Sequence, residues 1–390
     1  MKFVLSSENV VRYLQASYSK WQNNDHQSYF FDPQLVTSVT PIEYRNFNLI
    51  VNLANENCYL VKQERFNGNG KTSTTLKYEW VLQQYINSFP QLKIIQNAIA
   101  PIVYFDPENS ILIVKYLPEY ISLNKFYRRI NHYPPEIAAV VGSNLAQIHR
   151  LTFRQSKYQD FLAQYSSKSI NSKPSNFMGG LDKIGTKIFA RICSDGLEFF
   201  KLYQRFPSFH QAVVELYENY QATCLTHNDL RLTNYLIKER NLSYKPEIKL
   251  IDWEFMSWGD PAGDLGTLIA KYLELWLDSL FVNSDSDLSL SLSLATCPLE
   301  KIQPSLTTIL KNYLTAFPEI TSHRPDFTYR TIQFAGLSIL KQLQYRVECH
   351  FPFTNNDICS LQVAKSLLCS PERSLASIFG LVSSSTSVVA

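Results

Sequence analysis

No stretch of this 390-residue chain is both apolar and long enough to cross a bilayer. A spanning helix needs about 18 uncharged residues, and the best run, near Leu268–Phe281, is cut by Lys271, Glu274 and Asp278. The opening Met1-Lys2-Phe3-Val4-Leu5 turns polar at Ser6, too early for the apolar part of a secretory leader. Concentrated basic charge is missing too. Thirty-seven Lys and Arg stand against 34 Asp and Glu, a formal net charge of +3, which leaves no electrostatic footprint for a nucleic acid. The seven cysteines (Cys58, Cys193, Cys224, Cys297, Cys349, Cys359, Cys369) form no CxxC pair and are odd in number. Reduced thiols are the expectation, not a disulfide framework or a zinc site. There is no internal repeat. These absences predict a cytoplasmic protein with neither membrane nor nucleic acid as partner.

What is present suffices for a large core. At 45% hydrophobic composition the chain can divide into two lobes, and the patterning changes near Leu117-Pro118. Before it, Val10, Val11, Leu14 and Tyr18 predict an opening helix within 7–22. Strands follow at Leu35–Thr40, Phe47–Leu53, Tyr59–Gln63, Ile99–Phe105 and Ile111–Tyr116, with one helix, Thr74–Asn87, after the third. Beyond it the chain reads as mostly helical. Ile137, Val141, Leu145 and Ile148 share one helix face, and Leu268–Leu280 and Tyr329–Val347 are further helices. Thr223–Thr226 and Ile248–Ile251 read as short strands. The Ser/Leu run Ser284–Leu294 is expected to be a mobile surface loop, and the Ser384–Ser387 tail to be disordered. The domain expectation is residues 1–116 as a small α+β lobe and 117–390 as a larger helical one.

The chemistry concentrates between 223 and 266. His227-Asn228-Asp229-Leu230-Arg231-Leu232-Thr233-Asn234 precedes Ile251-Asp252-Trp253-Glu254. Phosphoryl transfer from a nucleotide needs a group to accept the proton of the attacking hydroxyl and hard oxygen ligands for magnesium. Asp229 suits the first task; Asn234 and Asp252 suit the second. A helix-capping pair on an ordinary loop is the bland alternative for Asp229 and Asn234. It leaves unexplained the second aspartate emerging from a strand and the Gly259-Asp260-Pro261 segment after it. Gly68-Asn69-Gly70-Lys71-Thr72 is not a P-loop, because Arg65 occupies the position of its first glycine.

The segments His227–Asn234, Ile251–Glu254 and Gly259-Asp260-Pro261-Ala262-Gly263-Asp264-Leu265 resemble those of the aminoglycoside phosphotransferase and choline kinase group, distant relatives of the protein kinases. The resemblance implies a two-lobed, protein-kinase-like α+β fold, with a five-stranded antiparallel sheet in the first lobe and a mostly helical second lobe. It implies ATP and Mg2+ as cofactors, and transfer of the γ-phosphoryl group to the hydroxyl of a small molecule. Asp229 would be the base, Asn234 and Asp252 the magnesium ligands, His227 a support for the loop, and Asp264 an acceptor bracing it from behind. For Asp264 a simple helix cap is an equal alternative. Trp253 and Glu254 read as packing and anchoring. Family members usually carry glycine where this chain has Asn228, and Asn tolerates the positive φ that turn needs. Arg231 meets either a phosphoryl group, a substrate carboxylate or solvent.

On the nucleotide side, protein kinases pair a third-strand lysine with a glutamate of the next helix. Lys62 and Glu79 fit, although a lysine in an apolar strand commonly faces solvent, and Glu64 and Lys77 compete for the assignment. The connector Lys115, Tyr116 and Leu117 would offer backbone groups to adenine. The turn Pro41–Asn46 has no glycine, so backbone approach to phosphate is restricted, leaving Arg45 and Asn46 as side-chain contacts. This turn also motivates the alternative of a non-catalytic nucleotide-binding scaffold. A narrower resemblance, through Asn46–Val51, Val61–Arg65 and Gly70-Lys71-Thr72, is to phosphotransferase-like proteins of bacterial peptide-modification clusters. It implies Ser or Thr of a precursor peptide as the alternative acceptor. Met178–Asp182 would border the acceptor site. The aromatics Phe199, Phe200, Tyr203, Phe206 and Phe209 read as core at helical spacing, and the absence of an acidic cluster there disfavours a polycationic acceptor.

Overall fold

Alternation along the strands decides the architecture of the first unit. The computed structural model describes residues 3–22, 31–43, 46–165, 194–239, 246–282 and 288–380, with single residues between 179 and 192. The chain forms two compact units, Met1–Lys125 with Thr233–Met256, and Phe126–Leu232 with Ser257–Ala390. The first unit thus runs past residue 116 and takes in 233–256, which the sequence division assigns to the C-terminal part.

The first unit opens with helix α1 (Val10–Gln22), then strands β1 (Val36–Glu43), β2 (Phe47–Leu53) and β3 (Cys58–Gln63). Helix α2 (Leu76–Ser88), a short α3 (Lys93–Gln96), and strands β4 (Ile102–Asp106) and β5 (Ile111–Lys115) complete it. The five strands are antiparallel in the order β1-β2-β3-β5-β4, the small sheet the sequence predicts. Period-two alternation gives the sheet two apolar faces. Leu49, Val51, Tyr59, Val61, Ile111 and Ile113 pack with Val10 and Leu14 of α1. Leu112, Val114 and Ile102 pack with Leu76 of α2. Val61 faces α1, so Lys62 is turned toward α2.

A second, three-stranded sheet was not legible in the sequence as a sheet. Its strands are β6 (Tyr120–Ser122) and, beyond β7 (Cys224–Thr226) of the other unit, β8 (Tyr235–Lys238) and β9 (Ile248–Leu250). Three or four residues are too few to show a period.

The second unit is helical: α4 (Leu123–Ile130) at the boundary, then α5 (Pro135–Thr152), α6 (Ser156–Ala163), α7 (Ser194–Gln204), α8 (Pro207–Glu218) and α9 (Pro261–Leu277). After these come α10 (Leu288–Ser293), α11 (Leu299–Ala316), α12 (Glu319–His323), α13 (Phe327–Glu348), α14 (Asn355–Cys369) and α15 (Pro371–Phe379). Ile137, Val141, Leu145 and Ile148 of α5 are buried as their spacing predicts. Strand β7 pairs with β10 (Ser257–Gly259). The Ser/Leu run is partly a correction: Leu288–Ser293 is helical, since alternation of Leu and Ser does not prevent a short helix, while 283–287 and the tail 381–390 lie outside the described residues.

The helix crossings at Gly142 and Gly266 are close enough to require glycine. A Cβ on Gly142 of α5 would stand 2.6 Å from the Ile309 carbonyl oxygen of α11, and one on Gly266 of α9 would stand 2.5 Å from the Thr331 oxygen of α13. Gly263, one turn earlier on α9, would meet nothing nearer than the Phe334 ring at 3.8 Å. Gly266→Ala is therefore expected to destabilise the fold by about 1–3 kcal/mol, while Gly263→Ala is neutral or gains up to about 1 kcal/mol of helix propensity. Equal unfolding midpoints for the two variants in denaturant would contradict this packing.

Candidate active site

The first unit carries a buried ion-pair set. Lys62 Nζ lies 2.9 Å from Glu79 Oε1 and 3.1 Å from Asp252 Oδ1. Lys62 and Glu79 are buried, whereas the Asp252 side chain is 34% exposed. A lysine in an apolar strand ordinarily faces water; here α2 covers that face and Glu79 supplies the counter-charge. Burial alone would pull the Lys62 ammonium down, but Glu79 and then Asp252 hold it above the ordinary lysine range. Burial pushes the Glu79 carboxyl up to about 7, with Lys62 opposing and Asp252 adding to the rise. A buried charge set of this kind is maintained only by mutual pairing, because removing one partner leaves an uncompensated charge.

Glu64 does not compete for Lys62. It caps α2 from outside the helix, since Thr75 makes no side-chain cap of its own. Its carboxylate accepts from the backbone N–H of Thr74 (2.8 Å), Thr75 and Leu76 (3.0 Å). It also accepts from the hydroxyls of Ser73 and Ser110, each at 3.0 Å. Those N–H groups have no partner within a helix. Against its burial, which acts upward, these donors bring the Glu64 carboxyl down to about 2.

Asp252 and Asn234 are set by the ladder between β8 and β9. Tyr235 pairs with Leu250, so the residue before one strand and the residues after the other share an end. Ile251 N–H donates to the Asn234 carbonyl at 2.9 Å. Asp252 follows with φ +70, a conformation in which Asp is among the tolerated residues. The turn is held by Trp253 Nε1 on the Leu250 carbonyl at 3.1 Å and by Glu254, whose carboxylate accepts from the Thr75 hydroxyl at 2.6 Å. One carboxylate and one amide oxygen fit magnesium, which takes one or two protein oxygens and completes its shell with water and phosphate. Among the described residues no group of three or more His, Cys, Asp or Glu is arranged to hold a metal, so a closed protein cage is absent there.

The connector differs in part from the expectation that all three residues offer backbone groups to a base. The Lys115 N–H donates to the Pro101 carbonyl at 2.9 Å, and the Tyr116 N–H to that of Cys58 at 2.8 Å. The Leu117 carbonyl accepts from Tyr120 at 3.1 Å. Sheet pairing extends one residue beyond β5 and occupies the N–H groups of Lys115 and Tyr116. The Lys115 side chain turns to Asn57 and over the Tyr59 ring. The Leu117 N–H is not among the hydrogen-bonded groups of this connector. Arg45 lies outside the described residues, as do Met178, Gly180 and Asp182.

The second unit holds the other loop. His227 is fully buried and its Nδ1 accepts from the Asp229 N–H at 3.2 Å. Asn228 has φ +64, the turn geometry that glycine's usual presence there suggested. Asp264, in the first turn of α9, accepts the N–H groups of His227 at 2.6 Å and Asn228 at 2.9 Å. Burial would raise the Asp264 carboxyl, but His149 and those amides hold it below the usual carboxylate range. His149 stands between Asp264 (3.3 Å) and the Tyr313 hydroxyl (2.7 Å). Leu230 and Leu232 are buried, anchoring the loop while Asp229 keeps 17% side-chain exposure. Arg231 Nε lies 2.8 Å from Asp229 Oδ1, its own side chain 63% exposed. Phe199, Phe200, Tyr203 and Phe209 are core residues, as their spacing predicts.

Sequence reading missed Thr75, His149 and Tyr313, and left Glu64 as a rival to Glu79. Only His149 carried a signal, a histidine ending an otherwise apolar helix face. The rest are ordinary polar residues until the fold brings them to a partner.

Glu64 makes a testable contribution to acid stability. Its folded value is depressed, so its stabilisation is present above about 4.5 and is lost as pH falls toward 2. Glu64→Gln is expected to lower stability at pH 7 by about 1–3 kcal/mol and to flatten the decline between pH 4.5 and 2. Denaturant titrations across that window check it; parallel curves for the two proteins would rule it out.

Residues 97–284 match the model of the phosphotransferase enzyme family. No curated protein sequence matches the chain. Among solved structures, an ethanolamine kinase of Plasmodium vivax is similar at 14% identity and TM-score 0.51, covering 95% of this chain and 96% of its own. A choline kinase of Streptococcus pneumoniae aligns at 15% identity and TM-score 0.45, with coverage of 92% and 99%. The first likeness shows the kinase-like fold; the second lies below the level at which it adds to that. Residues 97–284, a little under half of the chain, are thus similar to the phosphotransferase enzyme family, and the chain is an enzyme of the kinase type.

Proposed function

We propose that this enzyme uses ATP and magnesium to phosphorylate the hydroxyl of a small molecule. The observation that carries the nucleotide half is the buried lysine held between Glu79 and Asp252. A cation fixed by two carboxylates, one of them partly exposed, is prepared to meet the α- and β-phosphates. Asn234 and Asp252 would hold the magnesium ions, which would neutralise charge on the phosphate oxygens. Of the connector residues, Leu117 is the one whose N–H serves the base; Lys115 and Tyr116 shape the connector.

Asp229 is the base. Its carboxylate takes the proton of the acceptor hydroxyl as that oxygen bonds to the γ-phosphorus and the bond to the β,γ-bridging oxygen breaks, releasing the nucleoside diphosphate. His227 and Asp264 hold the loop from its buried side, so Asp229 is oriented without reorganisation. Arg231, paired with Asp229 and mostly exposed, is free to swing toward the transferred phosphoryl group or an anionic acceptor. The fold neighbour that is an ethanolamine kinase makes small amino alcohols the first acceptors to try.

Asp229→Asn is expected to lower kcat by about 10²–10⁴-fold while ATP affinity is unchanged. Asp252→Asn is expected to abolish the magnesium dependence of ATP binding. Steady-state kinetics on amino alcohols, sugars and a Ser/Thr peptide, with calorimetric ATP titrations, check both. ATP binding indifferent to magnesium, with no turnover on any acceptor, would favour a binding scaffold instead. Turnover on the peptide alone would move the acceptor to a protein substrate.

A further inference from the structure

The set Lys62–Glu79–Asp252 has a counterpart built from the same three segments. Two residues beyond Lys62 stands Glu64, four before Glu79 stands Thr75, and two beyond Asp252 stands Glu254. These three also meet. Thr75 Oγ1 lies 2.6 Å from Glu254 Oε2 and 3.0 Å from Glu64 Oε1. Lys62 and Glu64, two apart at the end of β3, and Thr75 and Glu79, four apart at the start of α2, have spacings that keep side chains on one face, and Glu254 follows Asp252 within its turn. Each segment is thus pinned at two points. A segment tied only through one ion pair can pivot about it; one tied at two cannot.

Several features mark this second ring as more than a helix cap. A cap needs only the amides of residues 74–76, which Glu64 already receives. The Glu254 carboxylate accepts from the Thr75 hydroxyl. That hydroxyl has one proton to give, and the shorter contact is to Glu254, the residue that follows the Asp252 turn. Glu64 and Glu254 are themselves both buried. Flanking the ring, Thr74 (φ +59) and Ser110 (φ +52) hold left-handed backbone. In a β-branched residue such as threonine that conformation is an outlier, and it persists only where the surroundings over-determine it.

We propose that Glu64, Thr75 and Glu254 form a positioning ring that sets the angle at which Asp252 faces magnesium, with the Thr75 hydroxyl as its link to the metal-holding turn. The inference rests on the magnesium-nucleotide reading of Asp252. Lys62, positioned by Glu79, holds the phosphates whether or not magnesium is present; the ring acts only on the turn. Its loss should therefore be read in magnesium-dependent binding and in the mobility of residues 252–256.

Thr75→Val removes the hydroxyl and keeps the side-chain shape, whereas Thr75→Ser keeps the hydroxyl. ATP affinity is measured by calorimetry with excess magnesium and with EDTA, and amide hydrogen exchange of residues 252–256 is followed in ligand-free protein. Thr75→Val is expected to weaken binding about 10-fold with magnesium, leave it within about 2-fold without, and speed exchange at 252–256. Thr75→Ser should match the parent. Glu254→Ala should repeat the valine result and Glu254→Gln, which keeps an acceptor oxygen, should not; this pair reads the ring if Thr75→Val fails to fold. Equal losses with and without magnesium, or unchanged exchange, would overturn the ring. A parent protein that binds ATP without regard to magnesium would instead overturn the functional reading, and the exchange measurement would still decide whether the ring holds the turn.

Discussion

The buried ammonium of Lys62 is the constraint around which the first unit is organised. An isolated charge out of water costs several kcal/mol even after relaxation, so the strand that carries it is stable only if carboxylates come to it. Glu79 arrives on α2 and Asp252 on the turn after β9. These two lie 17 and 190 residues away in sequence. The charge therefore ties together the sheet, its covering helix and a returning segment of chain. Together with the β6-β8-β9 ladder it ties Thr233–Met256 into the first compact unit, to which the surrounding chain does not belong.

The second unit solves a similar problem with a different charge. Asp264 is buried and remains a carboxylate because it receives two backbone N–H groups and the His149 ring. Charge-assisted bonds to amides are among the stronger ones available to a fold. They hold the backbone at His227 and Asn228 in place, including the left-handed turn that presents Asp229. Asp260, four residues earlier, caps α9 through the Ala262 N–H and pairs with Arg330. Both acidic residues of the Gly-Asp-Pro segment thus satisfy amides, one of a helix start and one of a loop.

Much of the fold is legible in the sequence. Residue order and spacing marked Asp229, Asn234 and Asp252, and the lysine–glutamate pair followed from a strand-then-helix pattern. Alternation in Phe47–Leu53 and Ile111–Tyr116 gave the main sheet, and helical spacing in 137–148 gave a buried face. Reading was weaker where elements are short. Strands of three or four residues, such as β6 and β10, show no period, and the Ser/Leu run alternates like a strand yet contains a helix. The connector also misled in part: a sheet ladder that runs one residue further than expected occupies the amides of Lys115 and Tyr116.

By itself the sequence determined which chemical groups exist and at what separation along the chain: an aspartate, an asparagine and another aspartate suited to phosphoryl transfer, and alternations that commit five segments between 35 and 116 to an antiparallel sheet. Only the tertiary structure decided the duties of the ambiguous polar residues. Glu64 caps a helix while Glu79 pairs the lysine, because Lys62 meets the flank of α2 where Glu79 stands, and Glu64, two residues further on, reaches its N-terminus. Thr75, Glu254 and His149 acquired partners in the same way. A hydrogen bond requires two groups within about 3 Å, and separation along a chain does not report distance in space.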